Sequence, residues 1–123
     1  MPKILIVDDE LDVREFAANF FRKRNLEVVT ACDGYEALRI IEKDRPDLVL
    51  LDIRMPNLDG IETLGRIREK DKELKVIMVT GKNPEEDKSL AKCKELGVLA
   101  YIHKPLKLDE LEKTVIETLK SIR

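Results

Sequence analysis

Two short runs place carboxylates directly after apolar segments: VDDE at 7–10 brings Asp8, Asp9 and Glu10, and LLD at 50–52 brings Asp52. Two further apolar segments end in groups of other chemistry, Thr80 after VIMV and His103-Lys104-Pro105 after LAYI. Carboxylates gathered in one crevice repel one another unless a cation lies among them, and hard oxygen donors with room for water select Mg²⁺ over zinc. A carboxylate is also a nucleophile toward phosphorus, forming an acyl phosphate where positive charge and donors meet the equatorial oxygens. Mg²⁺, the Lys104 ammonium and the Thr80 hydroxyl would supply that stabilisation around Asp52. Taken singly, each residue has a plain structural use: an acid after a strand caps a helix, a strand-end Thr serves β propensity, and a Lys before Pro is solvated.

These groups act together only if the fold brings them to one edge. Aliphatic runs at Lys3–Val7, Asp47–Leu51, Lys75–Val79 and Val98–Ile102, with a weaker one at Glu27–Ala31, have strand length and near-continuous apolar character. That pattern predicts strands covered on both faces, as in a parallel sheet. Between them lie helical periods: Val13, Phe16, Ala17 and Phe20; Ala37, Leu38 and Ile41; Ile61, Leu64 and Ile67; and finally Leu108, Leu111, Val115, Leu119 and Ile122. Asp33 with Glu36 has the spacing of a capping box, Pro84 with Glu85, Glu86 and Asp87 reads as a helix start, and Gly97 as a helix stop. The alternation predicts an α/β fold, a doubly wound parallel sheet of five strands with five helices on both faces; in the flavodoxin-like order 2-1-3-4-5, the strands that end at Asp8 and Asp52 would be central and adjacent. Ligands of such sheets bind at the carboxyl ends of the strands, where all the residues above fall.

A chain of 123 residues with 43% hydrophobic residues supports one core and so one domain, spanning 1–123. Charged residues reach 39%, yet 23 basic against 25 acidic groups leave a net charge of −2, which argues against direct binding of nucleic acid. The two cysteines, Cys32 and Cys93, match no metal or redox spacing and read as reduced thiols. The apolar stretches are too short to span a bilayer and the chain opens directly into a strand, so a cytoplasmic protein without membrane insertion is expected.

Through VDDE at 7–10, LLDIRMPNLDG at 50–60, VTG at 79–81 and YIHKP at 101–105, the sequence resembles the receiver domain of two-component response regulators, in its single-domain, CheY-like form. The resemblance implies Asp52 as phosphoacceptor, with Asp9, Asp52 and the backbone carbonyl of Arg54 as Mg²⁺ ligands and Asp8 positioning the ion through water. It implies that Lys104 pairs with the phosphoryl group, that the Lys104-Pro105 bond is cis, and that Thr80 and Tyr101 form the switch that alters the signalling face. His103, the only histidine, is expected to be an exposed bystander. Arg54 and Lys82 lie two residues beyond the phosphoacceptor and the threonine. Both are basic, and the expectation is that they shield a comparatively long-lived phosphoaspartate.

The function implied is that of a stand-alone receiver taking its phosphoryl group from a sensor histidine kinase or a histidine phosphotransfer protein, and signalling to a downstream protein target. A phosphorelay intermediate and the receiver fragment of a longer DNA-binding regulator are the alternatives within signalling. A phosphate hydrolase of the haloacid dehalogenase type is disfavoured, because its DxD pattern is absent: Ile53 and Arg54 follow Asp52. The apolar arc from Phe16 to Phe21 on the first helix is wider than one core contact needs, so its edge is expected to remain exposed for a kinase or phosphotransfer helix.

Overall fold

Alternate residues of each apolar run face opposite sides of one sheet, and this builds two cores. The computed structural model describes residues 2–81 and 90–120. The elements run β1 (Lys3–Val7), α1 (Leu11–Arg22), β2 (Glu27–Ala31), α2 (Gly34–Lys43), β3 (Leu48–Asp52), α3 (Gly60–Lys70), β4 (Lys75–Thr80), α4 (Leu90–Glu95), β5 (Ala100–His103) and α5 (Leu108–Lys120). All strand pairs are parallel, in the order β2-β1-β3-β4-β5. Ile4, Ile6, Leu48, Leu50, Ile77, Val79 and Ile102 pack with α1 and α5 on one face. Leu5, Val7, Val49, Leu51, Val76 and Met78 pack with α2, α3 and Cys93 of α4 on the other. This is the anticipated doubly wound fold.

Three boundaries differ from the sequence reading. Asp47 precedes β3 and uses its carboxylate to accept the Lys3 amide at 2.7 Å, so the strand starts at Leu48 and carries Asp52 as its last residue. β4 runs one residue further than expected, ending on Thr80. Val98 lies in the connection after α4 rather than in β5, its amide bonding back to the Cys93 carbonyl at 3.3 Å across Gly97 at φ +74°, and β5 begins at Ala100. That positive φ is why glycine stops the helix there. The helix start expected at Pro84–Asp87 and the apolar Ile122 lie outside the described residues.

Capping follows the sequence at α2, where the Asp33 carboxylate accepts the Glu36 amide at 2.8 Å and the Glu36 carboxylate accepts the Cys32 amide at 3.0 Å. Asp59 caps α3 in the same way through the Glu62 amide. On α1 the buried residues are Ala17, Ala18, Phe20 and Phe21, whereas Phe16 remains 48% exposed, placing the apolar edge outside the core as anticipated. Leu108, expected on the inner stripe of α5, is exposed at the first position of that helix. Cys32 is exposed, Cys93 is buried, and both are thiols. Among the described residues, no helix is long and apolar enough to cross a membrane.

Two glycines of α3 make opposite demands. A methyl group on Gly60 would lie 2.2 Å from the Asp52 carbonyl oxygen, whereas one on Gly65 meets nothing within 4 Å. Gly60→Ala is therefore expected to destabilise the fold by about 1–3 kcal/mol through overpacking. Gly65→Ala should stabilise it by about 0.5–1 kcal/mol by lowering unfolded-chain entropy in a helix interior. Urea denaturation of the two variants checks both signs; equal effects would refute the steric account.

Candidate functional site

Strand order reverses direction around β1, opening a crevice between the carboxyl ends of β1 and β3. Asp8 stands just beyond β1 and is tied on three sides. Its amide donates to the Ala31 carbonyl at 3.2 Å, its Oδ1 accepts the Glu10 amide at 2.9 Å, and its carbonyl accepts from Arg14 Nη1 at 2.7 Å. Asp52 closes β3, where the next amide, that of Ile53, donates to the Val79 carbonyl at 3.0 Å. The Lys104 amide donates to the Thr80 carbonyl at 2.8 Å, which anchors the start of the β5–α5 connection to β4. Lys104-Pro105 is cis, as anticipated.

From that anchor the Lys104 ammonium reaches Asp8 Oδ2 at 3.2 Å, Asp52 Oδ2 at 3.3 Å and Glu10 Oε1 at 3.4 Å. Asp8 and Asp52 are each only 3% exposed, so two carboxylates are withdrawn from water beside the Lys104 ammonium. Burial, then repulsion from Asp8, pushes the Asp52 carboxyl up to about 6 despite the opposing pull of Lys104. Burial likewise raises Asp8, against its bond from the Glu10 amide and the Lys104 charge. For Lys104 burial acts to lower the pKa, but the attraction of Asp52 and Asp8 outweighs it and the net shift is upward. Among the described residues the pocket therefore carries a charge imbalance that a further cation would relieve.

Oxygen donors of Asp8, Asp9 and Glu10 lie within 4.8 Å of one another. Asp9 also borders an open hollow lined by Ile53, Arg54, Met55, Pro56 and Asp59. An all-oxygen, carboxylate-rich donor set beside open space suits a hard divalent cation that keeps some of its water, which is the coordination habit of Mg²⁺.

The other residues singled out from sequence fall at the same edge with different surroundings. Thr80 is 3% exposed at the end of β4, and Tyr101, opposite Met78 in the β4–β5 ladder, is half-buried against the α2–α3–α4 core. Arg54 is exposed, and Lys82 lies outside the described residues. His103 departs from expectation: it is half-buried rather than exposed, and its Nε2 is fully buried without a hydrogen-bond partner. The side chain of a strand residue is directed by the pleat, and here the pleat turns it inward. The contacts from Arg14 and from the Glu10 carboxylate have no sequence signal beyond a charge near the first turn of α1.

At neutral pH an ionised Asp52 opposes folding, because its folded pKa lies above the ordinary value near 3.8. The penalty is absent below pH ~4, grows as pH rises through about 6, and is full above that. In chelator, Asp52→Asn is expected to be more stable than the wild type by about 1–3 kcal/mol at pH 8, with the difference closing below pH 4. Denaturant titration at several pH values measures this, and a pH-independent difference would contradict the assignment.

A family model described as response regulator receiver domain matches residues 4–116. Sporulation initiation phosphotransferase F of Bacillus subtilis is 41% identical over 113 residues, 92% of this chain and 90% of that protein. Alkaline phosphatase synthesis transcriptional regulatory protein PhoP of the same organism is 37% identical over 96% of this chain, which spans 48% of its length. Among solved structures, response regulator protein TrrA of Thermotoga maritima in complex with Mg²⁺-BeF superposes with a TM-score of 0.82 at 35% identity, covering 96% of this chain and 99% of that one.

Proposed function

The chain belongs to the response regulator receiver domain family and so to two-component signal transduction, and from that premise we propose that Asp52 is its phosphoacceptor, in a Mg²⁺-dependent reaction. The observation that carries this reading is the Lys104 ammonium shared between the buried carboxylates of Asp52 and Asp8 at the switch point of the sheet. An Oδ atom of Asp52 attacks phosphorus, an oxygen–phosphorus bond forms, and the bond to the leaving group breaks with its electron pair departing on that group. Lys104, already within 3.3 Å of Asp52 Oδ2, pairs with the incoming phosphoryl oxygens. Asp8, Asp9, Asp52 and the carbonyl of Arg54 are the residues that would hold Mg²⁺. The ion, when bound, supplies neutralising charge to the equatorial oxygens and relieves the repulsion between Asp8 and Asp52.

Thr80 is the hydroxyl placed to follow the phosphoryl group, and Tyr101 the aromatic whose packing would report it. Modification shifts the balance of two conformations by the difference in its interactions with each. In this reading the protein is a phosphoacceptor that assists its own phosphorylation and dephosphorylation. It works in the cytoplasm, receives the group from a sensor histidine kinase or a histidine phosphotransfer protein, and docks on a downstream protein. The match along 92% of the chain to a sporulation initiation phosphotransferase supports relay of the group onward as a specific form of this function. The match to half of a transcriptional regulatory protein supports the same chemistry serving as the input of a longer regulator.

Intact mass spectrometry after incubation with acetyl phosphate tests the core of the proposal. One Mg²⁺-dependent phosphoryl addition to the wild type is expected, lost in chelator and in Asp52→Asn. Addition that persists in Asp52→Asn, or that ignores Mg²⁺, would contradict it.

A further inference from the structure

Glu10 occupies the N-cap position of α1, and its side chain makes no capping bond there. Its own amide is held by Asp8 Oδ1 at 2.9 Å, which fixes the backbone. Its carboxylate reaches instead to Lys104, 94 residues away in sequence, with Oε1 at 3.4 Å from the ammonium. Lysine has three N–H donors and no more. Asp8 and Asp52 engage Lys104 from buried positions, and Glu10 engages it from a side chain that is 62% exposed at the mouth of the pocket.

We infer that Glu10 is a positioning residue that restrains phosphorylation: its carboxylate holds one donor of Lys104 and adds a negative charge across the path of an anionic phosphodonor. The inference rests on the assignment of Asp52 as phosphoacceptor. An incoming phosphoryl group needs the Lys104 donors, and of the three partners Glu10 is the one whose release costs least, because water can replace the ammonium at an exposed carboxylate. Without that charge the ammonium is directed wholly inward and the mouth of the pocket is less negative. The effect is electrostatic, so it scales with donor charge and weakens with salt. Because an exposed ion pair contributes little to folding, removing it leaves the fold intact and the kinetic effect readable.

The test compares wild type, Glu10→Gln and Glu10→Asp in phosphorylation rate at saturating Mg²⁺, with acetyl phosphate and with the less negatively charged donor phosphoramidate. Saturating the metal removes any difference in Mg²⁺ affinity caused by the lost charge. Glu10→Gln is expected to react about 3- to 10-fold faster with acetyl phosphate. The gain with phosphoramidate should be smaller, and the difference between donors should narrow as salt is raised. Glu10→Asp, which keeps the charge, should retain the wild-type discrimination between donors. A melting temperature within about 3 °C of wild type separates this from a structural effect. Unchanged or slower reaction of Glu10→Gln, or an equal gain with both donors, would overturn the inference while leaving Asp52 in place. Failure of the wild type to react with either donor would overturn the Asp52 assignment and this inference with it.

Discussion

Two carboxylates held out of water within reach of the Lys104 ammonium are the constraint on which the rest of the molecule depends. Asp8 and Asp52 would each be cheaper to fold as neutral side chains, and burial raises both in pKa. The fold tolerates them because Lys104 lies 3.2 and 3.3 Å away and because the backbone around each is bonded to a neighbouring strand. Among the described residues, a pocket so arranged has more negative charge than Lys104 neutralises. It has a reason to take a divalent cation, and under the proposed function such a cation would leave the Lys104 ammonium available to a phosphoryl group.

The sheet exists, for this purpose, to place strand ends. Parallel pairing delivers Asp8, Asp52, Thr80 and Lys104 at the same edge, and the bonds from the Asp8, Ile53 and Lys104 amides to neighbouring carbonyls hold that edge in register. Two cores of aliphatic side chains clamp the sheet from both faces, so the charged edge is carried on a packed support. Gly60 extends the same logic into α3: only a residue without a Cβ lets the helix start against the Asp52 carbonyl. The turn that leaves Asp52 is thereby packed closely against the start of α3.

The strands, the two faces and the membership of the acidic edge were legible because a near-continuous apolar run of strand length has few other uses in so short a chain. Residues at the ends of those runs were less legible. Asp47 and Asp52 flank the same apolar run, and only the hydrogen bond from the Lys3 amide shows that the first stands before the strand and the second ends it. Asp8 and Asp9 are adjacent and chemically alike, yet one is buried and the other exposed, a distinction set by the direction of the chain as it leaves β1. His103 departs from expectation for a related reason: it stands beside the charged Lys104, but the pleat of β5 buries Nε2. The bond from Glu10 to Lys104 joins residues at opposite ends of the chain, and no local pattern encodes it.

If charge imbalance in this pocket is what draws a cation in, the ammonium and the ion compete for the same oxygens. Calorimetric titration of Mg²⁺ into the wild type and Lys104→Met tests that directly. The account predicts binding about 10-fold tighter in Lys104→Met, since a positive charge beside the site has been removed, together with slower labelling by acetyl phosphate. Equal or weaker Mg²⁺ binding in that variant would show that Lys104 does not share the oxygens of Asp8 and Asp52 with the ion, and would contradict the account at its centre.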